Sequence, residues 1–142
     1  MIRVRVAAKR ELLAPPEDVW AFLSEPHNLP DWWPRIAAVQ PDRRRTARGA
    51  RWQLTRRGQP SLFRRAGRGE GLVVTDVREQ VRLAFQLPED RLEVEVTLEP
   101  YMHDRTLAEV AVQGPLLWGS RRLLARQALG RIYDLCQTSA DR

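Results

Sequence analysis

Between Val81 and Val112 apolar residues recur at nearly every second position. Val81, Leu83, Phe85 and Leu87 alternate with polar neighbours. Beyond Pro88-Glu89-Asp90, the residues Leu92, Val94, Val96 and Leu98 alternate with Glu93, Glu95, Thr97 and Glu99; beyond His103-Asp104, Ala108, Val110 and Val112 repeat the pattern. A period of two places successive side chains on opposite faces of a strand, and turns this short join only antiparallel neighbours. The block is therefore a meander with one apolar face and one face that can stay wet. At Gly114-Pro115 the period changes. Leu117, Leu124, Ala128, Ile132 and Leu135 recur near spacings of seven and four, which predicts an amphipathic helix of about twenty residues. Gly119 and Gly130 each cost that helix about 1 kcal/mol against alanine, so tertiary packing must hold it.

The N-terminal half supplies the other elements. Ile2, Val4 and Val6 alternate with Arg3 and Arg5 in a strand ending near Leu13. Ala14-Pro15-Pro16-Glu17-Asp18 then opens a helix, since proline is tolerated in a first turn and acids favour the positive end of the helix dipole. Val19, Trp20, Phe22 and Leu23 make it strongly apolar, and Ser24-Glu25-Pro26 stops it. A second short helix runs from about His27 to Trp33 and ends at Pro34. Ile36–Val39 is a strand closed by Pro41; Ala50, Trp52 and Leu54 alternate with Arg51, Gln53 and Thr55; Leu72, Val73 and Val74 begin another extended stretch. The order of strand, two short helices, about six strands and one long helix predicts an α+β domain spanning all 142 residues. A single helix cannot cover six or seven twisted strands. A curved antiparallel sheet wrapped around it would leave a space that is wide at one end, with the two short helices as its plug, and so a deep apolar pocket.

Here the residues resemble a known group. Ala14-Pro15-Pro16-Glu17-Asp18-Val19-Trp20-Ala21-Phe22-Leu23, followed by Pro26-His27-Asn28-Leu29-Pro30-Asp31-Trp32-Trp33-Pro34, is similar to the opening of the START-like (SRPBCC) superfamily of polyketide cyclases/dehydratases, plant pathogenesis-related allergens and steroidogenic lipid-transfer domains. The resemblance implies the helix-grip fold and an internal cavity for a hydrophobic ligand. It transfers no catalytic residue, because such members share a pocket and not a common reacting group, so function must be argued from the site.

Within that architecture the candidate ligand-binding residues are Trp32, Trp33, Trp52, Phe85, Tyr101 and Trp118. Adjacent helical residues diverge by about 100°, so one of Trp32 and Trp33 is expected in the core and the other at the pocket mouth. Trp52, Phe85 and Trp118 fall on strands or on the long helix, where inward rings would line the cavity or simply fill the core. Tyr101 could orient a ligand carbonyl if its phenol is buried. Asp76 and Arg78, spaced by Val77, would form a catalytic pair if they faced inward, although solvation on the outer face is the simpler reading. His27 and His103 lack the spacing of a nucleophilic or metal site and read as exposed polar residues. One cysteine, Cys136, can form no internal disulfide, and with two histidines it offers no zinc pattern; neither metal nor cofactor is expected.

Charge adds a second signal. The net charge is +6, with Lys9 the single lysine among 24 bases, an imbalance that reads mainly as codon bias. Ten arginines and no acid lie between Arg43 and Arg68, and the rest of the chain is mildly acidic. Guanidinium clusters bind phosphates and carboxylates, so this segment could engage an anionic ligand at the cavity mouth, anionic lipid or RNA. A solvated hairpin is the simpler alternative, and nucleic acid is the weakest of the partners. No apolar run is long enough to span a membrane, and MIRVRVAAKR lacks the apolar stretch of a signal peptide, so the cytoplasm is the expected compartment. The leading functional reading is binding of a hydrophobic small molecule (a lipid, sterol or aromatic polyketide). The alternative, a polyketide cyclase or dehydratase, needs an inward acid or base such as Tyr101, Asp76 or an arginine. Oligomeric state is not legible.

Overall fold

The computed structural model describes residues 3–57, 71–115 and 121–140, without the side chains of the last three. The alternation at the N-terminus becomes strand β1 (Arg3–Leu12). Helix α1 (Pro16–Leu23) starts on a proline, whose missing N–H is one of the unpaired donors of a first turn, and carries Glu17 and Asp18 beside it. It stops where the Ser24 N–H donates to the Trp20 carbonyl at 2.8 Å. The next stretch differs from the single helix expected over His27–Trp33. A 3-10 turn (Pro26–Asn28) leads into one helical turn, α2 (Leu29–Trp32), and the Asn28 side chain ties the pair to α1 by donating to the Phe22 carbonyl at 3.0 Å.

Six further strands follow: β2 (Ile36–Gln40), β3 (Arg51–Arg56), β4 (Gly71–Arg78), β5 (Arg82–Leu87), β6 (Leu92–Tyr101) and β7 (Arg105–Pro115). They form one seven-stranded antiparallel sheet in the order β1-β7-β6-β5-β4-β3-β2. The meander therefore closes on itself only at β7, which crosses back to pair with β1. Gly114 and Pro115, expected to open the last helix, instead end β7, where they sit opposite Val4 and Arg3. Val81, expected on the inward face, lies before β5 and is exposed.

Even-numbered residues of β6 and β7 face the core: Leu92, Val94, Val96 and Leu98, then Thr106, Ala108, Val110 and Val112, are all buried. On β4 the parity switches. A bulge between Val74 and Asp76 lets Val74 face inward opposite Phe85, while Asp76 sits opposite the outward Ala84 and Val77 opposite the inward Leu83. Such bulges, with another between Ile36 and Ala38, also bend their strands.

Helix α3 (Arg121–Ala140) lays Leu124, Ala125, Ala128, Leu129, Ile132 and Cys136 on the sheet. Its neighbours are chiefly β1, β7 and α2, so it covers one side of the concave face. Arg10 of β1 places its guanidinium 3.6 Å from the Tyr133 ring centroid, a cation–π contact that pins the helix to the sheet edge. The Thr106 hydroxyl donates to the Ala14 carbonyl at 2.8 Å and anchors the entry to α1 on β7. This is the α+β helix-grip architecture expected from the sequence. Trp118 and residues 58–68 of the arginine-rich segment lie outside the described residues.

Two substitutions test these supports. A Cβ at Gly130 would meet nothing within 4 Å, so Gly130→Ala should stabilise the fold by about 1 kcal/mol and raise the melting temperature by about 2–4 °C in calorimetry. Thr106→Val should act oppositely, because the buried Ala14 carbonyl loses its donor. A destabilisation of about 1–3 kcal/mol is expected in urea unfolding.

Candidate functional site

The inner end of the site is aromatic. Trp32, Trp33 and Phe85 are each no more than 2% exposed. They stand edge to face in a closed triangle, with centroids 6.2, 6.0 and 6.1 Å apart. Both tryptophans thus enter the core, against the expectation that only one would. The reason lies in the backbone: α2 ends at Trp32, and Trp33 is already extended at φ −97° and ψ 125°, so the helical divergence of 100° does not apply to the pair. Trp33 also borders the opening described next. The indole Nε1 of Trp32 is buried and has no hydrogen-bond partner.

The opening lies between the start of α3, the α2–β2 connection and the end of β3. A narrow neck of about 20 Å³ is bordered by Trp33, Arg56, Asp90, Leu92, Arg121 and Leu124. Outside it is a groove of about 580 Å³ lined by Arg35, Arg56, Arg57 and Arg131 together with Leu123 and Leu124. The two spaces share Pro34, Arg35, Arg56 and Leu124 and are therefore adjacent. These spaces, a gap of about one water and an open groove, differ from the deep apolar pocket expected from the sequence.

Two guanidiniums are fixed in the neck. Arg56 donates from Nη1 to Asp90 at 2.8 Å, and its Nε lies 3.4 Å from Glu89. Arg121 is 5% exposed and donates from Nη1 to the Pro115 carbonyl. Gly114 lets Leu92 pack close beside the neck: a Cβ at that position would lie 2.7 Å from Leu92 Cδ2. Each guanidinium retains one buried nitrogen without a partner, Arg56 Nη2 and Arg121 Nε. An unpaired buried donor costs about 1–3 kcal/mol, so this is a place where an acceptor would be strongly held.

The other candidates are placed elsewhere. Trp52 is buried, and its Nε1 donates to the Arg45 carbonyl at 2.5 Å, a bond that braces the loop before β3. Tyr101 is 40% exposed at the end of β6, so its phenol does not line the neck. It shares the odd parity of Glu93, Glu95 and Glu99, which already put it on the outer face. Asp76 pairs with Arg82, which also binds Glu95 at 3.0 Å; Arg78 is exposed, and no inward Asp76–Arg78 pair exists. The outer-face reading of Asp76 is thus the observed one. His103 is exposed, and His27 is exposed beside Glu25, with Nδ1 2.8 Å from the carboxylate. That contact, followed by the bidentate bond from Arg45 at 2.7 and 2.8 Å, holds the Glu25 carboxyl below the usual range. Burial pushes the Cys136 thiol up to about 11, so it is protonated at neutral pH and unsuited to nucleophilic attack.

Sequence reasoning reached Arg56 and Arg57 through the basic segment but passed over Arg35, Arg121 and Arg131. Arg35 precedes β2 and the other two lie on α3, and no spacing rule joins them. Among the described residues there is no cluster of three metal-ligating side chains, and no helix is long and apolar enough to cross a membrane.

Comparison with known proteins places this geometry. Residues 3–134 match the family model described as polyketide cyclase / dehydrase and lipid transport. No curated protein matches the sequence significantly. Solved structures with the same fold include a protein of Nitrosospira multiformis (16% identity, 98% of this chain and 100% of that one, TM-score 0.71). They also include the XoxI protein of Bacillus cereus (12% identity, 96% and 98% covered, TM-score 0.69). A third, DynU16 from the dynemicin biosynthetic locus, is 18% identical with a TM-score of 0.64; 95% of this chain aligns with 48% of that one. At these identities the structures establish the shared fold, and the family model covers nearly the whole chain: it belongs to the polyketide cyclase / dehydrase and lipid transport family.

Proposed function

We propose that this protein binds a hydrophobic small molecule, a lipid, sterol or aromatic polyketide, between the concave sheet face and α3. The observation that carries the reading is the position of Trp33. The same side chain borders the neck and packs on Trp32 and Phe85, so an apolar molecule entering from the groove would meet the aromatic cluster first. Family membership supports the same class of ligand. Removing about 250 Å² of apolar ligand surface from water gives about 6 kcal/mol before the costs of association.

The cyclase or dehydratase alternative rests on one feature, the Asp90 carboxylate at the neck. Binding is the better-supported reading. Asp90 is engaged by Arg56, and a guanidinium stays protonated near neutrality, so neither is set up as a free base.

A thermal-shift and tryptophan-fluorescence titration with fatty acids, sterols and aromatic polyketides tests the proposal. At least one compound should raise the melting temperature and change tryptophan emission, and Trp33→Phe, which keeps an aromatic ring in place, should weaken that compound about tenfold. If no apolar compound stabilises the protein, the reading fails. Trp33→Ala is a poorer probe, since removing a buried tryptophan costs about 3–5 kcal/mol of stability by itself.

A further inference from the structure

We propose that the ligand is an amphipathic anion: its carboxylate or phosphate headgroup sits in the arginine groove with one oxygen reaching the guanidiniums of the neck, while its apolar body lies against Leu123 and Leu124. This rests on the hydrophobic-ligand reading above and adds the headgroup chemistry. Four arginines, Arg35, Arg56, Arg57 and Arg131, line the groove, and no carboxylate does. Arg35, Arg57 and Arg131 have no carboxylate partner among the described residues. Counting the neck, five arginines line the two spaces with one carboxylate, Asp90, which is taken up by Arg56.

The second observation is independent of surface charge. Arg121 is 5% exposed, and its Nε lacks a partner, as does the buried Nη2 of Arg56; both side chains border the same neck. Both guanidiniums are positioned in advance, one by Asp90 and the other by the Pro115 carbonyl, so little conformational entropy is lost when an acceptor arrives. The neck, at about 20 Å³, admits a group of about one water's size. One ligand oxygen fits there, and the bulk of a headgroup belongs in the groove of about 580 Å³. Exposed Leu123, at 56%, gives the groove an apolar wall. A nucleic-acid strand fits less well, since sequence-tolerant strand binding uses stacked aromatic platforms and Trp33, at the neck, is buried.

The experiment is calorimetric titration of the full chain, below the critical micelle concentration, with dodecanoate, dodecyl phosphate and dodecan-1-ol. Acetate, inorganic phosphate and a ten-nucleotide single strand serve as competitors. Both anionic amphiphiles should bind at least tenfold more tightly than the alcohol in 20 mM salt, and the advantage should shrink in 500 mM salt. The tighter of the two identifies the headgroup as carboxylate or phosphate. The double variant Arg57→Gln/Arg131→Gln should remove the advantage and leave affinity for the alcohol unchanged, while Arg126→Gln should behave as the parent. Equal affinity for alcohol and anions would overturn the proposal but leave the hydrophobic-ligand reading standing. Failure of all three amphiphiles to bind would overturn both. Inorganic phosphate or the oligonucleotide binding as tightly as dodecyl phosphate would overturn the amphipathic assignment, and retention of the anion preference by the double variant would overturn its placement.

Discussion

The concave face of a seven-stranded sheet must be kept from water, and one helix of twenty residues is too narrow for the task. Helix α3 takes the side formed by β1 and β7, where the small residues Ala125 and Ala128 let it approach closely. Over β5 the cover comes from α2 and the residue after it, through Trp32 and Trp33 packed on Phe85. Everything functional follows from that division. The neck and groove lie where the start of α3 adjoins the α2–β2 connection.

The same join explains why arginines collect there. Strand ends and helix starts leave backbone groups that need partners, and Arg121 satisfies the Pro115 carbonyl at the end of β7. Arg57 donates its backbone N–H to the Arg35 carbonyl at 2.9 Å, closing the β2–β3 ends beside the groove. Arg35 itself has φ of 72°, an unusual conformation for a residue with a side chain, and it turns the chain from α2 into β2. These contacts organise the backbone, and they leave guanidinium charge gathered around one opening.

The sequence was most legible where one periodicity ran without interruption. On β6 and β7 the alternation assigned Leu92, Val94, Val96, Leu98, Ala108, Val110 and Val112 to the inward face, though not Thr106, and the same parity puts Tyr101 with the outward glutamates. It was least legible where the period breaks. The bulge after Val74 turned Asp76 outward although it shares parity with Leu72 and Val74. The early end of α2 brought two adjacent tryptophans into one cluster, which helical spacing alone forbids.

From its residues alone, this chain determined the order of its elements, the apolar face of the uninterrupted strands, the helix-grip class, and a basic segment whose ligand class stayed open. Those properties are local, set by side-chain period, proline and glycine within windows of a few residues. The neck and its arginines were decided only in three dimensions. Arg35, Arg56, Arg121 and Arg131 are far apart in the chain, and they meet because β7 returns to pair with β1, so that α3 begins beside the α2–β2 connection. Register, bulges and helix placement set that meeting, and these are resolved by packing the whole sheet and its cover at once.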